Sequence, residues 1–165
     1  MKIVLNKKYG GFGLSIATMK LYLNKKGIKC YVYYKKDGFE NDKSIWYRED
    51  NEKAKELYDY KNGFYTLKNI DWGLEKVLDV SRTSVEDHSE FYESTFTPKI
   101  DRTDKDLIEI IETLGESASR ETSRLKIVEI PDDVYYFIDD YDGIESIIYS
   151  KEKMYNEYNE ELGRK

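Results

Sequence analysis

The hydrophobic and polar positions change period several times along the chain, and each change marks an element. KIVLN, residues 2–6, is a short apolar run that reads as a buried strand. A glycine-rich turn follows. Residues 15–26, SIATMKLYLNKK, repeat apolar residues at helical spacing through Ile16, Met19 and Leu23. Ser15 is placed to cap that helix and Gly27 to end it. Residues 28–35, IKCYVYYK, are β-branched and aromatic, as a strand requires. In the middle, Ser44–Tyr47 reads as a strand, Asn51–Tyr58 as a helical turn, and Asn62-Gly63 as the turn of a hairpin between aromatic flanks. Residues 80–95 show no regular period. The strongest helix signal is TDKDLIEIIETLG from Thr103 to Gly115, with Leu107, Ile110, Ile111 and Leu114 in one stripe. Thr103 is the expected cap, with Asp106 three residues on. ESASRETSR reads as a polar loop, LKIVEIP as a strand, and DVYYFIDDYDGIESIIY as two strands about an Asp142-Gly143 turn. The last fifteen residues, KEKMYNEYNEELGRK, read as a polar helix.

These elements predict an α+β protein: a mixed or antiparallel sheet with two main helices packed on one face and a C-terminal helix. The 165 residues fit a single domain over 1–165, with a variable, partly β insertion at about 37–100. The chain is 36% charged, yet its 15% aromatic content argues for a folded body rather than disorder.

Charge is unevenly spread. Residues 1–36 hold nine lysines and no acid, so the remainder carries −15 against a net −6. Such asymmetry suits an anionic ligand or a self-association surface, as well as a plain solvated face. The overall acidity argues against general nucleic-acid binding. One cysteine, Cys30, forms no intrachain disulfide and is read as an inert thiol buried in a strand; a reducing cytosol is the expected compartment. No apolar run approaches a membrane span, and the N-terminus lacks a signal-peptide pattern. With one histidine, His88, and one cysteine, no zinc set or His-based catalytic set is expected. DDYDGIE, residues 139–145, has carboxylates but lacks calcium-loop spacing, so a type I′ turn is the simpler account. No catalytic residue, metal site or cofactor is predicted.

The stretch NKKYGGFGLS, residues 6–15, is the main candidate for binding. It matches neither the phosphate loop with Gly-Lys-Ser/Thr nor the dinucleotide fingerprint. Glycines between a strand and a helix start expose backbone N–H groups where a helix N-terminus favours anions. Gly10 and Gly11 would supply those groups, Tyr9 and Phe12 stacking rings, and Asn6 and Ser15 directed hydrogen bonds, with Lys7 and Lys8 adding charge. The same glycines would serve a turn that only packs closely. Arginine suits bidentate phosphate contact, and Arg102 and Arg120 are the favoured partners among Arg48, Arg82, Arg102, Arg120 and Arg124.

KIVLNKKYGGFGLS, RTDKDLIEIIETLG and LKIVEIPDDVYYFIDDYDGIESI together resemble a family of small bacteriophage proteins that open with N-x-x-Y-G-G-F-x-L-S and close with IPDD…YDGIE. The match covers about the first 35 and last 65 residues. The resemblance implies phage origin, expression in the host cytoplasm, and a place among small phage proteins that include anti-defence sponges of the Thoeris anti-defence, Sequestin and Lockin types. It implies no enzyme activity. The expected function is capture of a nucleotide-derived immune signal, such as a cyclic ADP-ribose isomer, without cleavage by a homo-oligomer; no nucleic acid or membrane partner is expected. The alternatives are an acidic protein-binding inhibitor or adaptor acting on a host protein, and an Mg²⁺-dependent nucleotide enzyme.

Overall fold

The computed structural model describes residues 1–36, 43–57, 63–66, 71–79, 100–156 and 160–164. In chain order the elements are β1 Lys2–Asn6, α1 Ile16–Lys25, β2 Tyr31–Lys35, β3 Lys43–Arg48, a 3-10 turn Glu52–Leu57, β4 Gly63–Thr66 and β5 Glu75–Asp79. They continue with α2 Lys105–Leu114, a 3-10 turn Gly115–Ala118, β6 Leu125–Glu129, β7 Tyr135–Tyr141, β8 Ile144–Ser150, β9 Met154–Tyr155 and β10 Glu161–Leu162. The protein is α+β, and every strand pair among the described residues is antiparallel. Where a single sheet under two helices is expected, the strands among the described residues form four small sheets, β1-β6, β7-β8, β9-β10 and β4-β2-β3-β5. The contacts divide into two compact units, Met1–Tyr22 with Ile100–Lys165, and Leu23–Lys99.

In the first unit β1 is the strand that enters the core. Ile3, Val4, Leu5 and Asn6 are all fully buried. Ile3 and Leu5 form a core with Ile130 and Val134, with Tyr136, Ile138 and Ile147 packed against it. β1 pairs with β6 from Lys2↔Glu129 to Asn6↔Leu125, and α2 packs against β1. α2 buries Leu107, Ile110 and Ile111 of the expected stripe together with Ile108, while Leu114, at the helix end, is only half-buried. Its cap is Asp104 rather than Thr103: an Asp104 carboxylate oxygen accepts from the Asp106 N–H at 2.9 Å, and the other accepts from Tyr22 Oη at 3.0 Å. A carboxylate complements the positive helix end better than a hydroxyl, and Thr103 turns back to Asp101 Oδ1 instead. Ser15 caps α1, accepting from the Thr18 N–H at 3.2 Å. The β7-β8 hairpin closes at Asp142 and Gly143, both at positive φ, 51° and 85°, as a type I′ turn requires.

The C-terminal segment is not the expected helix. β9 and β10 pair through Glu161↔Tyr155 and Leu162↔Met154, and Arg164 exchanges two backbone hydrogen bonds with Tyr136 at 3.0 and 2.9 Å. The segment has too few apolar positions to hold a helix against the body, whereas β7 offers it a strand edge.

The second unit is built on β4-β2-β3-β5, with Val32, Tyr33, Tyr34, Trp46, Tyr47 and Ala54 buried. The strand and helical turn expected near residues 44–58 are present. Of the expected Asn62-Gly63 hairpin only Gly63–Thr66 is described, and it pairs with β2. Residues 80–95, with Arg82 and His88, lie outside the described residues. Cys30 is not buried in a strand; it precedes β2 and is partly exposed.

Inside this unit Arg48 makes a two-bond contact to Asp50, at 2.6 and 2.7 Å, and reaches Asp71 at 2.7 and 2.6 Å. Asp71 Oδ1 also accepts from the Gly73 N–H and from Tyr33 Oη. Hydrogen bonds from Arg48 hold both carboxyls below their ordinary range, and burial pushes the Tyr33 hydroxyl up to about 12. Carboxyls depressed in the fold stabilise it fully above their unfolded value, and that contribution is lost as pH falls through the depressed value. The sequence has two tryptophans, and Trp46 and Trp72 both sit in this unit. The urea midpoint read by tryptophan emission is therefore expected to stay level from neutral pH down to about 4 and then fall. Asp71→Asn should flatten that fall, and an unchanged slope would refute the assignment.

Candidate functional site

β1 carries the polar centre of the first unit. Its last residue, Asn6, is fully buried, and every polar atom of its side chain is used. Nδ2 donates to the Lys8 and Gly143 carbonyls, and Oδ1 accepts from the Arg124 N–H at 2.8 Å. The Asn6 backbone N–H donates to Glu145 Oε2 at 2.7 Å. Glu145, 3% exposed on β8, also takes a bidentate contact from Arg102, Nη2 to Oε1 at 2.8 Å and Nη1 to Oε2 at 3.1 Å. Burial pulls the Arg102 guanidinium below its ordinary value, opposed by the hydrogen bonds it donates to Glu145. Arg102 lies over the Phe12 ring, 3.1 Å from its centroid, a cation–π contact that gives the inner guanidinium face a partner. Lys7 Nζ donates to the Glu145 carbonyl at 2.7 Å.

The glycine turn wraps around this centre. A Cβ on Gly143 would run into the Gly11 nitrogen and lie 2.8 Å from Gly11 Cα, and one on Gly10 would lie 2.7 Å from the Thr122 carbonyl. Two backbones touch here with no room between them, which is what these glycines allow. Of the eight residues expected to bind a ligand, the structure brings Asn6, Gly10, Gly11, Phe12 and Arg102 together, around a carboxylate of the protein itself. Ser15 is at the helix cap. Tyr9 is 60% exposed. Arg120 is away from Glu145 but not from the turn: its N–H donates to the Gly13 carbonyl at 3.1 Å, its side chain lies against the place a Cβ on Gly13 would take, and its Nε donates to Thr122 Oγ1 at 3.1 Å.

Arg120 lies in an open groove of about 490 Å³ between β6 and the C-terminal end of α2. One side carries Lys8, Arg120, Arg124 and Lys126, all exposed. The other carries Ile111, Glu112, Gly115 and Glu116. Glu112 is paired with Lys2, and Lys8 Nζ is held on the Glu121 carbonyl at 2.7 Å. The groove thus gathers four cations, Lys8, Arg120, Arg124 and Lys126, with Glu121 among them and Glu112 and Glu116 on the α2 side. Phosphate would sit toward Arg120, Arg124 and Lys126, away from the negative end of α2. Among the described residues no group of three His, Cys, Asp or Glu side chains is placed to hold a metal ion, and no helix is long and apolar enough to cross a membrane.

Sequence inspection missed Glu145 as a partner and Lys126 as a wall residue. In the structure the YDGIE stretch and the glycine-turn stretch are in contact, through Glu145 and Gly143 to Asn6. Lys126 and Arg124 follow from the alternation of β6 and the loop before it, where no local pattern marks a groove. No family model matches the chain, and neither curated proteins nor solved structures give a match.

Removing one partner of a buried ion pair leaves the other charge unpaired at a cost of about 3–5 kcal/mol. Arg102 keeps 22% of its side chain exposed, so Glu145→Ala is expected to cost about 3 kcal/mol by urea unfolding, the lower end of that range. The double variant Arg102→Met with Glu145→Leu should recover most of it. A loss under about 1 kcal/mol for Glu145→Ala, the range of an exposed pair, would show that the pair does not organise this unit.

Proposed function

We propose that the protein is a non-catalytic binding protein that captures a phosphate-bearing, nucleotide-derived small molecule in the groove between β6 and α2. The observation that carries this is the gathering of Lys8, Arg120, Arg124 and Lys126 along one groove of about 490 Å³, a volume within the range of small-ligand sites. In this reading the glycine turn is the scaffold and not the cradle: it anchors β1 and delivers Lys8 to the rim. Phosphate meets the arginines through charge-assisted hydrogen bonds. A role in phage anti-defence, holding a cyclic ADP-ribose type signal in the host cytoplasm as a homo-oligomer, rests on the motif resemblance together with this groove. Capture needs only complementarity, so the ligand leaves intact.

Titration calorimetry against ADP-ribose, cyclic ADP-ribose isomers and cyclic dinucleotides is expected to find a binder, recovered unaltered after heat denaturation. Arg124→Ala with Lys126→Ala should weaken it by about tenfold or more and reduce its salt dependence. Absence of binding across that panel would overturn the proposal.

A second reading is favoured by the β7-β8 tip, where Asp139, Asp140 and Asp142 flank Tyr141, 77% exposed. An aromatic anchor ringed by acids suits a basic surface on a host protein. It predicts a stoichiometric basic partner that is lost with Tyr141→Ala; a partner retained by that variant would refute it.

A further inference from the structure

The outer edge of β6 can be deduced from the hydrogen bonds of β1. In an antiparallel pair, residues alternate between facing pairs that bond each other and pairs that turn their N–H and C=O outward. The Val4 N–H donates to the Arg102 carbonyl at 2.9 Å and the Asn6 N–H to Glu145, so both point away from β6. Their register partners, Ile127 and Leu125, therefore also point outward, on the far side. The Leu125 N–H does so, donating to Ser119 Oγ at 2.9 Å. The opposite parity holds at Met1 and Ile130, which exchange bonds at 2.6 and 3.0 Å. Of the four outward groups of these two residues three remain: the Leu125 carbonyl, the Ile127 N–H two residues on, and the Ile127 carbonyl beyond it; the first two lie next to each other along the edge. Neither of those two has a hydrogen-bond partner among the described residues, and both residues line the groove.

A strand-edge acceptor followed two residues later by a donor matches one flat partner with a donor beside an acceptor. The Watson–Crick edge of adenine has that pattern: the exocyclic amine donates and ring N1 accepts. We propose that the edge of β6 reads the 6-aminopurine base of the captured ligand, with the Leu125 carbonyl accepting from the amine and the Ile127 N–H donating to N1. Ile111, 4% exposed, adds only a small apolar contact from the α2 side of the groove, and Arg120, Arg124 and Lys126 are left for the phosphates. This rests on the proposed function and names the ligand class within it. A peptide strand could use the same edge, but strand addition uses a run of main-chain pairs, and the groove takes in β6 only from Leu125 to Ile127.

The test compares ADP, IDP and N1-methyl-ADP on the intact protein by calorimetry, with amide spectra recorded alongside. Hypoxanthine presents N1–H and a carbonyl oxygen, reversing both positions, and N1-methylation blocks one of them. ADP is expected to bind about tenfold to a hundredfold more tightly than either, and the Ile127 amide resonance to move with ADP alone. Equal binding of the three would overturn the base reading and leave phosphate capture standing. Failure of all three, and of the nucleotide panel, would overturn both. An acidic extended peptide that displaces ADP and shifts the Ile127 amide would reassign the edge to strand addition and overturn the proposal.

Discussion

Glu145 is a carboxylate almost wholly removed from water, and the first unit is arranged around the need to satisfy it. An apolar pair of similar volume would serve stability at least as well as a buried ion pair. What the Arg102–Glu145 contact adds is direction. Two parallel N–H···O bonds fit one orientation of the guanidinium, and the Asn6 N–H fixes where β1 must end relative to β8. The pair joins β1, β8 and the loop ahead of α2 at one point, over 43 residues of sequence.

From that point the glycine turn follows. With Asn6 bonded to the Gly143 carbonyl and to the Arg124 N–H, the chain after β1 must pass between the hairpin turn and the loop before β6. Its backbone touches both, and only residues without side chains fit where it does so. The two motifs at opposite ends of the chain are thus halves of one contact. That contact gives both stretches a structural role without assigning either to a ligand. The anion-friendly features of the stretch are spent internally: Arg102 on Glu145, Asn6 on three backbone groups.

The local layer of the fold was legible in the sequence. The α2 stripe, the Ser15 cap and the Asp142-Gly143 turn each depend on neighbours within a few residues, and each stands where the pattern puts it. The failures share a cause. Whether MYNEYNEEL becomes a helix or a pair of short strands depends on the edge that β7 presents to Arg164, which no local period encodes. That Phe12 meets an arginine of its own chain, rather than a base, depends on a loop ninety residues away. Chemical type marks a residue as able to bind, but does not reveal whether a partner is already within the protein. Arg120 kept an open position because it lies on the rim, where neither Glu145 nor the hairpin reaches.

The buried pair also decides which side of the β1-β6 ribbon can meet a ligand. Val4 and Asn6 direct their main-chain groups toward Arg102 and Glu145, so the β1 edge is consumed by the network. Antiparallel alternation then fixes the opposite edge without further choice: if β1 turns those groups outward at Val4 and Asn6, β6 must do the same at Ile127 and Leu125. One of the four outward groups there, the Leu125 N–H, is taken by Ser119. The neighbouring acceptor and donor stay open beside a cationic rim. The side of the ribbon that meets the buried charge thereby fixes which main-chain groups the other side leaves open, through hydrogen-bond parity alone.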